Sequence, residues 1–495
     1  MRTHQAKVTS LENPRFSEDR GWWLFCLVVF AIKFIFLAAD PSPKMFMGDS
    51  GSYIWTALTG WIPDDRSYFY GYVIRLTAVT TASLTPLLLF QVCLGAAASI
   101  IVAVICRSIF RLPALYSYGF GVACAIDPLH LVWEHYVLAE TISIFLYALL
   151  LERSFRYLRD RKIRDLAIIQ VVGVALIGFR MSYLLAVQMT AVVLPVLAFW
   201  PDAVALVRQK LRRISPQWRA ARTAAIHVLV SISVMLGLHA AYKQANGRLS
   251  EREPAYLYAT GLHLLCAWAP ILTPADAADP RLADLIRRGD EFALKDLLRR
   301  GHQRFAEGFL VDLFSKMEAN PAIQESVAKQ TALNALFHRP LDVVWLSYKT
   351  FAGYWDIEEI KSFATIDLGH VDLPPEEVDL LAKNFHWSTP AGITTEPKTL
   401  LQNYFLAAWP YYFVALLVPF WCVLSTFLRG RPSYSLLLLF HSGLLFTTTM
   451  ALSEQPSIRY LQPLSLLTVL CAALCLSSLL RKPSRRGEIA APGTA

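Results

Sequence analysis

The sequence lacks the short patterns that mark cysteine-stabilised, zinc-binding and nucleotide-binding proteins. Its eight cysteines include no Cys-x-x-Cys pair, so neither a disulfide framework nor a zinc site is predicted. No P-loop and no Gly-x-Gly-x-x-Gly motif occurs, so no glycine-rich turn is predicted to hold a nucleotide. There is no fixed-period repeat. No segment alternates polar and apolar residues for long enough to predict a sheet.

What the sequence has instead is an excess of apolar residues. Of its 495 residues, 55% are hydrophobic, and the mean hydropathy is +0.40, whereas soluble proteins are about 45–50% apolar. This excess is concentrated in apolar blocks. Most of them hold about 18–24 residues, enough for a helix to cross about 30 Å of hydrocarbon. We therefore expect an all-α polytopic membrane protein with about ten transmembrane helices. The blocks lie at about 22–39, 86–106, 113–131, 136–152, 166–179, 182–200, 222–242, 404–427, 434–452 and 458–480.

The net charge of +9 reflects topology. Lysine and arginine cluster in alternate connections between the apolar blocks, at 107–111, 153–164, 208–222, 429–431 and 481–486. If the N-terminus is cytoplasmic, every cluster falls on the cytoplasmic side, as the positive-inside rule expects. No basic face or reading motif accompanies the charge, so no nucleic-acid partner is predicted.

The same pattern divides the chain into five parts. The first apolar block is expected to be a retained anchor, because it is too long for a signal peptide and Leu37 stands where cleavage needs a small residue. The predicted parts are a cytoplasmic tail (1–21), an N-terminal transmembrane module (22–242) containing the first outward loop (40–85), an extracytoplasmic loop domain (243–403), C-terminal transmembrane helices (404–480) and a cytoplasmic basic tail (481–495).

The long loop is predicted to be mainly helical, because its apolar residues recur at intervals of three and four. Residues 355–400 are expected to be mostly irregular. The uncharged segment 255–272 is either an eleventh span or, as we prefer, an interfacial or re-entrant segment, because prolines bracket it. The predicted helices are 280–300, 302–318, 323–337 and 341–354.

Two carboxylates are candidates for chemistry. Asp49 follows the first span closely and lies at the water–lipid boundary, where it could act as a general base on an acceptor hydroxyl; otherwise it is the N-cap of a helix over 52–59. Tyr53 lies four residues on and would share the helical face of Asp49. Glu140 lies near the outward end of the fourth block. A carboxylate there faces a cavity or a partner, unless it simply lies at the interface.

Two arginines are candidates for binding an anion. Arg180 and Arg459 lie at outward ends of different spans, where each could extend to the headgroups or contribute a bidentate fork to a lipid phosphate. The other short outward connections hold few arginines, which favours one shared anion. Lys33 and Arg75 are the next candidates. The segment 338–340 is either an ordinary helix start or part of a site.

Four local patterns together resemble the GT-C superfamily of integral-membrane glycosyltransferases. That group includes protein O-mannosyltransferases and the bacterial aminoarabinose transferases of lipid A. The patterns are Asp49 and Tyr53 in the first outward loop, Tyr136-Val137-Leu138-Ala139-Glu140, Gly178-Phe179-Arg180, and Arg459-Tyr460-Leu461-Gln462-Pro463.

The resemblance implies transfer of a sugar from a polyprenyl-phosphate donor in the bilayer to a hydroxyl of a glycan, lipid or protein. The reaction would take place on the outer side of a bacterial inner (plasma) membrane. The resemblance implies catalytic roles for Asp49 and Glu140. It implies donor-phosphate or substrate binding by Arg180, Arg459, Tyr53 and Tyr460.

Many GT-C relatives pair the first-loop Asp with an adjacent Glu, but this chain has Ser50 there. The lipid-linked donor is a substrate, no cofactor is implied, and no residue is assigned to a metal. Two other classes stay open. One is a lipid-linked glycan polymerase or ligase, and the other is a transporter or flippase, which would be expected to show inverted repeats.

Overall fold

The computed structural model describes residues 20–208, 217–369, 373–387, 398–427, 432–454 and 456–480. Throughout these residues the regular structure is helical. One isolated bridge joins Lys44 and Tyr136, and no strand is formed in the described ranges. The two cytoplasmic tails predicted at 1–21 and 481–495 lie outside the described residues, apart from residues 20 and 21.

The N-terminal half consists mostly of long apolar helices. Its helices are α1 (Arg20–Ala39), α2 (Met47–Thr59), α3 (Phe69–Ile74), α4 (Thr85–Val104), α5 (Ala114–Ala125), α6 (Pro128–Leu131), α7 (Glu140–Asp160), α8 (Ile163–Phe179), α9 (Leu184–Arg208) and α10 (Gln217–Ser250).

The C-terminal half contains the long loop and the remaining apolar helices. Those of the loop are α11 (Thr260–Ala267), α12 (Pro280–Arg287), α13 (Arg300–Phe305), α14 (Leu310–Met317), α15 (Pro321–His338), α16 (Pro340–Gly353), α17 (Ile357–Asp367) and α18 (Pro375–Phe385). After it come α19 (Leu400–Ala407), α20 (Trp409–Leu416), α21 (Val418–Phe427), α22 (Pro432–Ala451) and α23 (Gln462–Leu480).

Six helical segments among the described residues are long and apolar enough to cross a membrane. The chain is therefore an integral, multi-pass membrane protein, as its composition predicts. The six segments are Arg20–Ala39, Thr85–Ile109, Met181–Trp200, Ala221–Ser250, Ser433–Ala451 and Ile458–Leu480.

The other four predicted blocks are helical but differ in form. The block at 113–131 is divided, because Asp127 caps a new short helix by accepting a hydrogen bond from the Leu129 amide. The block at 404–427 is divided into α19, α20 and α21. The remaining two correspond to α7, which continues to a charged end at Asp160, and to α8, with 17 residues. Ten spans therefore stay a prediction.

The helix bundle has two ends, which we define by their contacts. At the lower end, Ser477 Oγ donates to the Phe110 carbonyl at 2.6 Å and Arg159 Nη1 donates to the Ser108 carbonyl at 3.3 Å. At the upper end lie the first loop (40–85) and the connection between α22 and α23. The main candidate residues also lie at the upper end: Asp49, Tyr53, Glu140, Arg180, Arg459 and Tyr460.

The loop domain corrects two expectations. Residues 355–400 are not mostly irregular where they are described, because α17 and α18 lie there. Asp356 starts α17 by accepting hydrogen bonds from the amides of Glu358 and Glu359. The predicted helices at 280–300 and 302–318 are each broken into shorter pieces.

The ambiguous segment 255–272 contains only the eight-residue α11 and one turn of 3₁₀-helix. A helix of eight residues spans about 12 Å, far less than the hydrocarbon layer. Trp268 Nε1 instead donates to the Ala451 carbonyl at 2.7 Å, at the upper end of α22. This segment packs on the bundle and does not form an eleventh span.

Short polar contacts hold the first loop against the start of α7. The Lys44 amide donates to the His135 carbonyl at 2.8 Å, and the Val137 amide donates back to the Lys44 carbonyl at 2.9 Å. Ser50 Oγ accepts from the Phe46 amide and donates to the Val137 carbonyl. The first turn of α2 and the first turn of α7 are therefore fixed side by side.

Candidate functional site

Asp49 lies in the first turn of α2 between two guanidinium groups. Arg66 Nη1 donates to one carboxylate oxygen at 2.5 Å and Arg459 Nη1 donates to the other at 2.9 Å. The helix begins at Met47, with Phe46 at the N-cap position. The N-cap interpretation of Asp49 is therefore wrong, and its side chain is directed at the arginines.

Glu140 joins the same cluster from the first turn of α7. Its Oε1 lies 3.3 Å from Arg459 Nε and 3.4 Å from Arg180 Nη1. The side chain of Glu140 is 6% exposed, and those of Arg180 and Arg459 are 11% and 12% exposed. The arginines are too buried to be extended to the headgroups, and Glu140 is not an unpaired interfacial carboxylate. One carboxylate thus joins the two arginines that the sequence assigns to a shared anion.

The cluster continues as a chain of alternating charges. Arg66 makes a bidentate contact with Asp65, with both N–O distances at 2.9 Å. Arg304 Nη2 donates to Asp65 at 3.3 Å and its Nη1 donates to Glu454 at 2.6 Å. His263 Nδ1 lies 2.8 Å from the same Glu454 oxygen. The ionic chain therefore runs from Arg180 on the bundle to His263 on the loop domain.

The charges around Asp49 set its pKa. Burial by itself raises this pKa, but the charges of Arg66 and Arg459 and their hydrogen bonds outweigh it, and the pKa falls to about 2. The charge of Asp49 in turn holds the pKa of Arg66 above its usual value, although burial opposes this. Asp49 is thus ionised at neutral pH, but its lone pairs are occupied by two cations.

A buried carboxylate orients Arg459. Asp367, at the end of α17, accepts a hydrogen bond from the Arg459 amide at 2.9 Å and bonds from Ser457 Oγ at 3.0 Å. Burial raises the pKa of Asp367 to about 6, and the hydrogen bonds limit the rise. Tyr354 contacts the same turn, since its hydroxyl donates to the Ser457 carbonyl. The loop domain therefore fixes the backbone position of Arg459.

The two candidate tyrosines lie beside the arginines. The Tyr460 ring centroid is 5.6 Å from the guanidinium carbon of Arg180 and 5.6 Å from that of Arg459. The ring of Tyr53 is buried, and its centroid lies 5.9 Å from Arg66. Both geometries are within the reach of cation–π attraction. Tyr53, Tyr460 and the four charged candidates thus form one cluster at the upper end.

The weaker candidates lie elsewhere. Lys33 forms a buried ion pair with Glu134 at 2.5 Å, inside the bundle. Arg75 Nε donates to the Ala57 carbonyl at 2.6 Å and so joins two parts of the first loop. In the segment 338–340, Arg339 pairs with Asp276 within the loop domain. These contacts stabilise the fold and do not belong to the cluster.

A cavity of about 710 Å³ opens beside the cluster. Arg180 and Tyr460 form its inner wall, and its lining includes four cationic side chains but only two carboxylates. The charged residues of the lining are Arg180, Lys243, Arg304, Lys329, Asp65 and Glu325, and the leucines are Leu184, Leu185, Leu257, Leu264, Leu445 and Leu452.

The two kinds of lining come from different elements. Leu184, Leu185 and Leu445 belong to α9 and α22, two of the helices able to cross a membrane. Lys329 and Arg304 belong to the loop domain. The cavity therefore combines apolar and basic surface, with cations from both the bundle and the loop domain, which suits a ligand with an anionic head and an apolar tail.

Five members of the ionic chain were missed by the sequence analysis: Asp65, Arg66, His263, Arg304 and Glu454. Arg66 is 17 residues from Asp49 and lies in a turn, so helical spacing does not connect them. The adjacent Asp64-Asp65-Arg66 charges, in a loop otherwise rich in aromatic residues, are the signal that could have identified them. Across the described ranges, no group of three or more His, Cys, Asp or Glu side chains is placed to hold a metal ion.

No family model, curated protein or solved structure matches this chain.

Proposed function

We propose that the protein is a membrane glycosyltransferase of the GT-C type. It would transfer a sugar from a polyprenyl-phosphate donor to a hydroxyl of a glycan, lipid or protein. The observation that carries this proposal is the convergence of Asp49, Glu140, Arg180 and Arg459, which come from four separate segments. Arg180 carries this cluster to the wall of a cavity suited to an anionic lipid.

The proposed reaction needs one base and one anion site. The acceptor oxygen attacks the anomeric carbon, the bond from that carbon to the phosphate oxygen breaks, and the electron pair leaves with the lipid phosphate. Asp49 takes the proton of the acceptor hydroxyl. Arg180 and Arg459 stabilise the phosphate as its charge develops. Glu140 lies between the two guanidinium groups and holds them close together.

The pairing of Asp49 with Arg459 gives the donor a second role. Arg459 contacts Asp49 and Glu140 together, and a donor phosphate bound at the cluster would compete for its N–H groups. Each N–H group given to the phosphate frees a lone pair on Asp49 for the acceptor proton. Donor binding would thereby convert a neutralised carboxylate into a usable base.

The proposal also includes an architecture. We propose ten spans, with the lower end cytoplasmic and the upper end facing the outer side of a bacterial inner membrane. The basic segments 107–111 and 153–164 lie at or near the lower end, which agrees with this orientation. A polyprenyl tail could then enter between α9 and α22 while the sugar stays outside the bilayer.

The test is a donor screen on the purified protein in detergent. We would incubate it with a panel of polyprenyl-phosphate sugars and measure the release of polyprenyl phosphate together with the sugar-bearing product. At least one donor should support transfer, and Asp49→Asn should reduce it by about 10²- to 10⁴-fold. The two side chains are nearly isosteric, so the variant should remain inserted and folded.

Two outcomes would contradict the proposal. Polymer formation from pyrophosphate-linked glycans, without single-sugar transfer, would indicate a polymerase or ligase. Movement of a lipid-linked sugar across vesicles, unchanged in Asp49→Asn, would indicate a flippase.

A further inference from the structure

Helix α16 has an apolar face that no described residue covers. Val343, Leu346 and Thr350 are its buried side chains. On the opposite face, four large apolar side chains are exposed at i, i+3, i+4 and i+7, which places them in one stripe. They are Leu341 (78% exposed), Val344 (63%), Trp345 (56%) and Tyr348 (54%).

The buried face of α16 packs on the membrane-spanning part of the bundle. The ring of Phe351 lies 5.3 Å from that of Phe446 in α22. Just beyond the helix, the ring of Trp355 stacks on Phe413 of α20, with the ring centroids 5.4 Å apart. These contacts fix the height of α16 relative to the bundle.

That height corresponds to the upper boundary of the hydrocarbon layer of the membrane. Phe446 lies five residues before the end of α22 at Ala451, which corresponds to about 7.5 Å of helix below its upper end. Leu346 packs in one cluster with Leu452, so α16 runs antiparallel to α22. Trp345 and Tyr348 therefore lie close to the level at which the α22 span ends.

The polar groups of α16 fit the same position. Asp342 and Lys349 are its only charged residues. The Lys349 ammonium lies 5.7 Å from the Trp345 ring centroid, and the Trp345 and Tyr348 rings stack at 5.0 Å. Tryptophan, tyrosine and a lysine that can extend to the headgroups are the residues typical of a membrane interface.

We infer that the exposed face of α16 is immersed in the lipid leaflet at the upper end of the bundle. Its aromatic residues lie at the boundary between headgroups and acyl chains. Lipid is the occupant because α16 packs on the upper part of α22, a helix long and apolar enough to cross a membrane. An exposed apolar face of this kind needs a membrane or a partner to cover it. The loop domain is thus anchored to the bilayer independently of the reaction that the cluster performs.

Spin labels on the full-length protein test this inference. We would first replace the part-exposed Cys26, Cys93 and Cys475 by alanine and then introduce cysteine at Val344 or Tyr348. The labelled protein is reconstituted in vesicles of phosphatidylethanolamine and phosphatidylglycerol. Accessibility to oxygen, which concentrates in lipid, is compared with accessibility to a water-soluble nickel chelate.

Two positions calibrate the measurement. Leu236, exposed at 59% on the spanning helix α10, should show the lipid pattern, and Gln330, exposed on α15, should show the aqueous pattern. Labels at Val344 and Tyr348 should lie between these two patterns, with a ratio of oxygen to chelate accessibility at least twofold above that at Gln330.

Two results would overturn the inference. Chelate accessibility at Val344 and Tyr348 equal to that at Gln330 would place α16 in water. Protection from both reagents would mean that a protein, such as a second copy of this chain, covers the face.

Discussion

Asp49, the proposed base, has a pKa that is set by neighbouring arginines. Arg66 and Arg459 hold its pKa at about 2, so the carboxylate is ionised throughout the physiological range. A carboxylate with so low a pKa accepts a proton poorly. Tyr53, Glu140 and Asp65 also face Asp49, but Arg66 makes the largest charge contribution that lowers its pKa. Arg66 is therefore the residue whose removal should alter the base most directly.

Arg66→Met should shift the acidic limb of the pH–rate profile. The base works in its ionised form, and with a pKa near 2 it causes no loss of kcat/KM above about pH 4 in the native protein. Without Arg66 the pKa rises, so activity should begin to fall at a higher pH as the medium is acidified. Arg252→Met is the matched control. Arg252 forms an exposed ion pair with Asp64, the residue next to Asp65 in the sequence. Superimposable acidic limbs for Arg66→Met and the native protein would contradict this account of Asp49.

Arg180 and Arg459, which we propose bind the donor phosphate, should not tolerate lysine. Lysine keeps the charge but loses the planar fork, with which Arg459 contacts Asp49 and Glu140 together. Arg180→Lys and Arg459→Lys should each lower kcat by roughly tenfold or more, the value of one charge-assisted hydrogen bond. The alanine variants should lose on the order of 10²- to 10³-fold. Donor binding, measured with a polyprenyl phosphate, should weaken in parallel, whereas full activity of both lysine variants would remove the arginines from the mechanism.

At the scale of elements, α17 holds the Ser457–Arg459 turn in place through Asp367. The carboxyl pKa is raised to about 6, above its usual 3.8, so the native state binds this proton more tightly than the unfolded chain. The stability that the proton contributes is full below about pH 3.8 and is lost as the pH rises through 6. Above that pH, the hydrogen bonds from Ser457 Oγ and the Arg459 amide are accepted by a buried, charged carboxylate.

Asp367→Asn and Asp367→Ala separate the pH effect from the positioning effect. Asparagine cannot ionise, so the Tm of Asp367→Asn relative to the native protein should rise between pH 4 and 7, measured by thermal unfolding in detergent. Asparagine can still bond Ser457 and the Arg459 amide and should keep most activity. Alanine should lower kcat more than it raises KM, because the Arg459 turn is released. A constant difference in Tm across this range, with equal kcat in both variants, would show that Asp367 does not position the turn.

The sequence predicted the elements unevenly, for physical reasons. The spans and the four charged candidates could be identified because charge near a hydrocarbon layer is costly and therefore informative. The helices α17 and α18 were missed, since their prolines and acids, typical of loops, here occupy caps and first turns. Arg66 was missed because its pairing with Asp49 depends on a chain reversal. No local period encodes a contact across 17 residues.

At the scale of the whole molecule, the ionic chain constrains topology. Asp49, Glu140, Arg180, His263 and Arg459 come from five connections, yet all lie at the upper end. The lower end joins residues 108–110, 159 and 477, near the basic clusters of the sequence. By the positive-inside rule, the lower end is expected to be cytoplasmic and all five connections are expected to be exported.

Reporter fusions along the chain test this arrangement. Fusions ending at Asn246, at the top of α10, and at Lys398, near the end of the loop domain, should both show export, because α11 is too short to cross the membrane between them. A fusion ending at Lys162, between α7 and α8 at the lower end, should show a cytoplasmic signal and serves as the control. A cytoplasmic signal at Lys398 together with export at Asn246 would mean that a segment between them crosses the bilayer. In that case His263 and Arg459 could not share one ionic chain, and the site would have to be divided between the two sides of the membrane.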